Sequence, residues 1–126
     1  MNSIINNIMN KKRIFIYDAT KGFSRYLKLK LADDIDILCC TNRKELINYD
    51  LSCVDLAFVV INDQDDLINF IYIYSKIENI VLYSNLDEIV DRLSTIDTIT
   101  ALNINHTKSD LLKEIKYNLQ LNDIIK

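Results

Sequence analysis

The feature that most constrains this chain is the strict alternation of five apolar runs with five segments of helical periodicity. Proline is absent and Gly22 is the only glycine, so Asn, Asp, Ser and Thr must mark the turns. The apolar runs predict strands at residues 13–17, 35–40, 56–61, 80–83 and 98–104. Strict β-α alternation predicts a parallel sheet with helices on both faces.

Each predicted strand is followed by a predicted helix. The first helix, over roughly 20–31, carries Phe23, Leu27 and Leu31 at a spacing of four residues, and the third covers roughly 65–77. The other three are expected to begin at a capping residue with an acid three positions later, in the pairs Asn42 and Glu45, Asn85 and Glu88, and Thr107 and Asp110.

The character of the apolar runs predicts the strand order. The runs IFIY, LAFVVI and IVLY are continuously apolar, as is typical of central strands buried on both faces. The segments DIDILCC and TITALNIN are more polar and suit the two edges. We therefore predict a flavodoxin-like (CheY-like), doubly wound α/β fold whose five parallel strands have the order 2-1-3-4-5.

Length and composition predict one domain. The 126 residues suffice for one core, and 49% hydrophobic with 26% charged residues is typical of a globular protein. We expect a flexible, Asn-rich leader over residues 1–11 and a single domain over 12–122. Within the leader, Ile4, Ile5, Ile8 and Met9 also allow an amphipathic helix that contacts a partner.

Charge and hydropathy exclude several classes of partner. A net charge of −3 has the wrong sign for binding phosphates, so we expect no nucleic acid. No apolar run approaches the ~20 residues needed to cross a bilayer, so we expect no membrane partner. The amino terminus lacks the basic region and apolar core of a signal peptide, which predicts a cytoplasmic protein.

The cysteines and the histidine predict no metal site. Cys39, Cys40 and Cys53 lack zinc-binding spacing, and His106 is the only histidine. The neighbouring Cys39 and Cys40 should point to opposite faces of a strand. We expect three buried, reduced thiols.

Function in such a sheet concentrates where the strands end, near the point at which the strand order reverses. The polar residues that follow the strands are therefore the candidates for chemistry. They are Asp18, Thr20, Asn62, Asp63, Ser84, Asn85, Asn105 and His106.

Three of these strand ends resemble the receiver domains of response regulators. RIFIYDAT resembles the family's first strand with its acidic pair, VDLAFVV the strand that reaches the phospho-accepting aspartate, and IVLYS the strand that ends in Ser or Thr. The resemblance extends over about residues 12–119. It implies an acidic pair that binds Mg²⁺, an aspartate that accepts a phosphoryl group, and a hydroxyl and a lysine that contact the phosphate.

This sequence departs from that pattern at most of the implied positions. Asp18 matches the first acid and Ser84 the hydroxyl, but Ala19 replaces the second acid. The acceptor position falls on Val60, or on Asn62 if the alignment shifts by two, and Asn105 replaces the lysine. Neither Val nor Asn forms an acyl phosphate. The resemblance therefore implies a degenerate pseudo-receiver that is not an enzyme, binds no cofactor or metal, and acts through a protein partner or a second copy.

Two other functions stay open. Asp63 or Asp18 could accept a phosphoryl group as a displaced aspartate, and Asp65 and Asp66 belong to the same acidic cluster as Asp63. Acids at a helix start also favour the helix dipole, and Asp18 could instead accept backbone N–H groups. The crevice at the carboxyl ends of the strands could instead bind a small ligand.

By resemblance to receivers, the contact surface for a protein partner would involve Asp87, Asp91, Arg92, Asn103, Lys113 and Tyr117.

Overall fold

The computed structural model describes residues 12–30, 35–103 and 108–121, with the side chains of all but residues 103, 108–112 and 121. The strands are β1 (Arg13–Tyr17), β2 (Asp36–Cys40), β3 (Leu56–Ile61), β4 (Ile80–Ser84) and β5 (Ile99–Asn103). The helices are α1 (Gly22–Lys30), α2 (Arg43–Leu46), α3 (Gln64–Tyr74), α4 (Asp87–Leu93) and α5 (Lys108–Leu121). The predicted leader, Asn105, His106 and Thr107 lie outside the described residues.

The five strands form one parallel sheet in the order β2-β1-β3-β4-β5. The predicted fold class and strand order are therefore confirmed. All six residues of β3 are buried, whereas four of the five residues of the edge strand β2 are only half-buried. Continuous apolar runs occupy the centre because a central parallel strand is covered by helices on both faces.

Successive side chains of each strand enter two different cores. Ile14 and Ile16 of β1 pack beneath α1 and α5, with Phe23, Leu27, Ile115 and Leu119. Phe15 and Tyr17 of β1 pack beneath α2, α3 and α4, with Leu46, Phe70, Ile73 and Ile89. The period-2 geometry of the strands thus produces two layers, which we call the α1/α5 face and the α3/α4 face. Cys39 and Cys40 contact opposite cores, as predicted.

The helix N-caps confirm one prediction from the sequence and contradict another. At α2, the Asn42 side chain accepts from the Glu45 N–H at 2.9 Å, as predicted. The cap predicted at Asn85 is wrong, because the N-cap position is Leu86 and its N–H donates to Ser84 Oγ at 3.0 Å. Ser84 can do this because it is the last residue of β4 rather than the first residue after it.

The expectation that all three cysteines are buried is wrong. Cys40 is buried and Cys39 is half-buried, but Cys53 is exposed. Cys53 lies in the turn that precedes β3, where the chain runs over the surface. Among the described helices, none combines the length and the apolar character that a bilayer-spanning segment requires.

Candidate functional site

A crevice of about 340 Å³ lies at the carboxyl ends of β1, β2 and β3. This is the edge at which a doubly wound sheet places its ligands. Its lining mixes acids, a cation and apolar groups and includes Tyr17, Ala19, Asn42, Arg43, Asp63 and Asp66. The sequence places Ala19 and Asp63 here and includes Asp66 in the acidic cluster that follows the third strand, whereas Tyr17 was not among the candidates.

Asp18 is fully buried at the end of β1, and its carboxylate accepts four hydrogen bonds. Oδ1 accepts from Thr20 N–H at 3.1 Å and Thr20 Oγ1 at 2.7 Å. Oδ2 accepts from the N–H groups of Phe23 at 2.8 Å and Ser24 at 3.1 Å. A carboxylate offers about four acceptor positions. Asp18 therefore uses its acceptor capacity on the loop and the first turn of α1.

The loop that Asp18 organises contains a backbone conformation that L-residues rarely adopt. Lys21 has a φ of 68°, and its N–H donates to the Asp18 carbonyl oxygen at 3.1 Å. A left-handed conformation costs a non-glycine residue roughly 1–2 kcal/mol. The Asp18 hydrogen bonds hold the chain in this conformation, so the carboxylate stabilises a strained turn.

A second buried carboxylate, Asp66 of α3, joins three elements beside the crevice. Its Oδ1 accepts from the Tyr17 hydroxyl at 2.9 Å, and its Oδ2 accepts from the Asn62 N–H at 2.9 Å. The Asn69 amide donates to the Tyr17 hydroxyl at 2.8 Å. Burial, together with the Asp66 carboxylate, raises the pKa of Tyr17 to about 12. Tyr17 is therefore a neutral hydroxyl over the physiological pH range.

Sequence reasoning missed this network, although a signal was present. Asp66 and Asn69 occupy the same helical stripe as the buried Phe70 and Ile73. A polar residue on the apolar stripe of a helix must find a hydrogen-bond partner in the core. That signal predicts a buried polar pair on α3 but does not identify Tyr17 as its partner.

The other positions of the receiver pattern carry no free catalytic group. Val60 is buried in the core of the α1/α5 face, and Asn62 is half-buried at the end of β3. The fully buried Ser84 hydroxyl donates to the Ile61 carbonyl at 2.8 Å and accepts from the Leu86 N–H at 3.0 Å. Ser84 thus joins β3, β4 and the start of α4.

The exposed acids of the crevice belong to the start of α3. Asp63 is its N-cap, and Asp63 Oδ1 accepts from the Asp66 N–H at 2.9 Å. Asp65 is exposed in the first turn, where a negative charge interacts favourably with the helix dipole. Among the described side chains, no cluster of three or more His, Cys, Asp or Glu residues has the arrangement of a metal site.

The predicted contact residues lie away from the crevice. Tyr117 of α5 is 61% exposed, and Lys113, Asp87, Asp91 and Arg92 are also exposed. Asn103 ends β5, and its side chain lies outside the described part of the chain. Arg92 binds Glu88 at 2.8 Å across one turn of α4.

Neither a protein-family model nor a curated protein matches the sequence. Solved structures do match. A chain from the crystal structure of adenylate cyclase from Rhodopirellula baltica aligns with a TM-score of 0.65 and 14% identity, over 90% of this chain and 91% of that one. A CheY-like response regulator receiver domain protein from Methanospirillum hungatei JF-1 aligns with a TM-score of 0.60 and 17% identity, over 89% of this chain and 96% of that one.

The chain has a CheY-like receiver fold. Identities of 14% and 17% establish the fold alone, so no activity is transferred from either protein. Within this receiver-like fold, the crevice occupies the usual ligand position, but the buried carboxylates of Asp66 in its wall and of Asp18 beside it accept hydrogen bonds from the backbone and Tyr17.

Proposed function

We propose that this receiver-like chain is a protein-interaction module in signalling or regulation that works without phosphorylation. The proposal rests on the burial and the hydrogen bonding of Asp18. Its carboxylate is fully buried and accepts four hydrogen bonds from its own loop and helix.

Formation of an aspartyl phosphate requires a carboxylate that can attack, a cation that neutralises the transferred group, and positioned donors. For Asp18 to bind a cation or attack phosphorus, it would have to give up hydrogen bonds that hold the start of α1. Ala19, Val60 and Asn62 supply no carboxylate at the other positions of the pattern. This combination supports a site that has lost phosphoryl transfer.

The exposed acid Asp63 is the strongest displaced acceptor. One of its oxygens caps α3, and the residue lines the crevice. Phosphorylation of Asp63 would replace its single negative charge with a phosphoryl group of about two negative charges beside Asp65 and Asp66, where Arg43 is the cation that lines the crevice. The charge balance therefore disfavours a stable phosphoryl group at this position.

The experiment treats the full chain with acetyl phosphate and Mg²⁺, and separately with beryllofluoride and Mg²⁺, and measures the intact mass and the thermal midpoint. We expect no mass gain and no shift of the midpoint. A gain of one phosphoryl group that is lost in Asp63→Asn but kept in the matched control Asp65→Asn would establish displaced acceptance and overturn the proposal. A gain that survives both substitutions would overturn it as well.

The crevice itself supports a second candidate function, the binding of a small ligand. Its volume of about 340 Å³ is at the lower end of the range for ligand sites, and Arg43 offers a cation at its edge. A thermal-shift screen against nucleotides and flavins tests this function, because a bound ligand raises the midpoint. A shift that is abolished in Arg43→Ala but kept in Lys44→Ala would assign the ligand to the crevice.

A further inference from the structure

The α1/α5 face carries a basic surface, although the whole chain has a net charge of −3. Six exposed cations lie on or beside the two helices, namely Lys21, Arg25, Lys28, Lys30, Lys113 and Lys116. Among the described side chains of residues 21–30 and 113–120, the half-buried Glu114 is the only acid. Both helices cover the same core, so these cations belong to one side of the molecule.

The opposite side carries an acidic groove. It lies between α3 and α4, has a volume of about 670 Å³, and has apolar walls formed by Leu67, Leu86, Ile89 and Leu93. Asp87 and Glu88 also line this groove. The sequence of α3 contains no basic residue, and the single cation of α4, Arg92, is bound to Glu88 at 2.8 Å. Arg92 lines the groove as well and offsets the charge of Glu88, so the net negative charge of the rim comes from Asp87 and from Asp91 beside the groove on α4.

The basic surface has an apolar residue at its centre. Leu29 of α1 is 84% exposed, and Lys28 and Lys30 flank it in the sequence. Arg25 lies one turn earlier on the same stripe of α1. A side chain this exposed contributes almost nothing to the core of its own chain, so it is available for contact with a second copy.

We infer that α1 of one copy docks into the α3–α4 groove of a second copy, with Leu29 between the apolar walls and the cations of α1 against Asp87 and the neighbouring Asp91. This inference rests on the proposed function, since it names a second copy as one partner of the interaction module. The two complementary surfaces lie on opposite faces of the sheet, so the contact is head to tail. Each added copy leaves one groove and one α1 surface free, and the assembly grows with concentration.

Sedimentation equilibrium and light scattering on the full chain test this contact. The weight-average mass is expected to rise above that of the monomer as the concentration increases at low salt. The association is expected to weaken as the salt is raised from about 0.01 to 1 M, because the Debye length falls from about 30 to 3 Å.

Charge-reversal variants test the α1 surface and the groove separately. Arg25→Glu with Lys28→Glu blocks the α1 surface, and Asp87→Lys with Asp91→Lys blocks the groove. Each double variant alone is expected to stay monomeric. An equimolar mixture of the two is expected to associate again, because the intact α1 of one chain meets the intact groove of the other, and the reversed charges of the remaining α1 and groove also attract each other.

Matched controls change the net charge equally at exposed positions outside the contact. Lys44→Glu with Lys76→Glu matches the α1 variant, and Glu78→Lys with Asp97→Lys matches the groove variant. Both controls are expected to associate like the unaltered chain. Circular dichroism melting curves confirm that all four variants fold.

Three outcomes overturn the inference: a chain that stays monomeric at millimolar concentration, an α1 variant that still associates, or a mixture that forms no complex. None of these outcomes tests phosphorylation, so the proposed function survives them. A mass gain with acetyl phosphate overturns the proposed function, and it leaves the self-association measurement intact.

Discussion

The crevice at the carboxyl ends of β1–β3 and the α3–α4 groove use their polar groups in opposite ways. Asp66 in the crevice wall and Asp18 beside the crevice are buried, and both direct their oxygens to donors of their own chain. At the groove, Asp87 and the Glu88–Arg92 ion pair are exposed around apolar walls that no described residue covers. The buried carboxylates of the first region thus hold the fold together, while the charged groups of the second lie at the surface. Substitutions should therefore destabilise the protein in the first region and leave its stability unchanged in the second.

The largest effect is expected for Asp18→Ala. The substitution removes four hydrogen bonds and leaves the buried N–H groups of Phe23 and Ser24 without their acceptor. We expect the free energy of unfolding to fall by about 2–4 kcal/mol, as measured by urea denaturation. Asp18→Asn is the matched control and should lose less, since its amide keeps one oxygen. Unchanged or increased stability in both variants would mean that Asp18 is reserved for a ligand.

The next effect concerns Tyr17→Phe, which leaves Asp66 Oδ1 and the Asn69 amide without the hydroxyl that they share. We expect the free energy of unfolding of Tyr17→Phe to be about 1–3 kcal/mol lower than that of the unaltered protein at neutral pH. This difference should shrink as the pH rises from about 10 to 12. In the unfolded chain Tyr17 ionises near 10, whereas in the folded chain its pKa is about 12, so only the unaltered protein loses stability through Tyr17 in this window.

Urea denaturation at pH 8, 10, 11 and 12 measures this dependence. Tyr72→Phe is the control, because Tyr72 is half-buried on α3 and no described hydrogen bond joins its hydroxyl to a buried partner. A constant difference between Tyr17→Phe and the unaltered chain across the series would contradict the role assigned to the Tyr17–Asp66 hydrogen bond.

A smaller effect is expected for Ser84→Ala. The Ser84 hydroxyl bridges the Ile61 carbonyl and the Leu86 N–H, so its removal should lower the free energy of unfolding by about 1–2 kcal/mol. Thr95→Ala serves as an exposed hydroxyl control, since Thr95 Oγ1 donates only to the Arg92 carbonyl. Equal, near-zero effects at both positions would show that Ser84 is not needed to hold the start of α4.

The smallest effect is expected for Leu29→Ser. Leu29 is 84% exposed, so the free energy of unfolding should change by no more than about 0.5 kcal/mol. The same substitution should weaken self-association, as measured by sedimentation equilibrium. A stability loss as large as that of Asp18→Ala would place Leu29 in the fold rather than in a contact.

Much of the fold could be predicted because its signals are local. The strands at 13–17 and 56–61 were predicted residue for residue, and the strand order followed from which runs are continuously apolar. The cap at Asn42 was predicted for the same reason, since its partner Glu45 is three residues away. The cap at Asn85 was predicted wrongly, because Ser84 of the adjacent strand reaches the helix first.

The candidate site was predicted less completely. The sequence located the strand ends and the missing carboxylates, but it assigned Asp18 a degenerate position without fixing its partners. It placed Asp66 in the acidic cluster after β3 but did not identify its partner Tyr17, which lies 49 residues away. A hydrogen bond over that separation depends on how α3 packs on β1, which no local pattern specifies.

The sequence by itself determined the parallel sheet, its strand order and its two-layer core, because burial on both faces requires continuous apolar runs that can be read locally. Only the tertiary structure decided that Asp18 accepts four hydrogen bonds from its own loop and helix, that Asp66 binds Tyr17 and the Asn62 N–H, and that the cations of α1 and the acids of α4 lie on opposite sides of the sheet. Hydrogen-bond partners and exposed surfaces depend on which distant elements pack together, and the order of residues along the chain does not specify that packing.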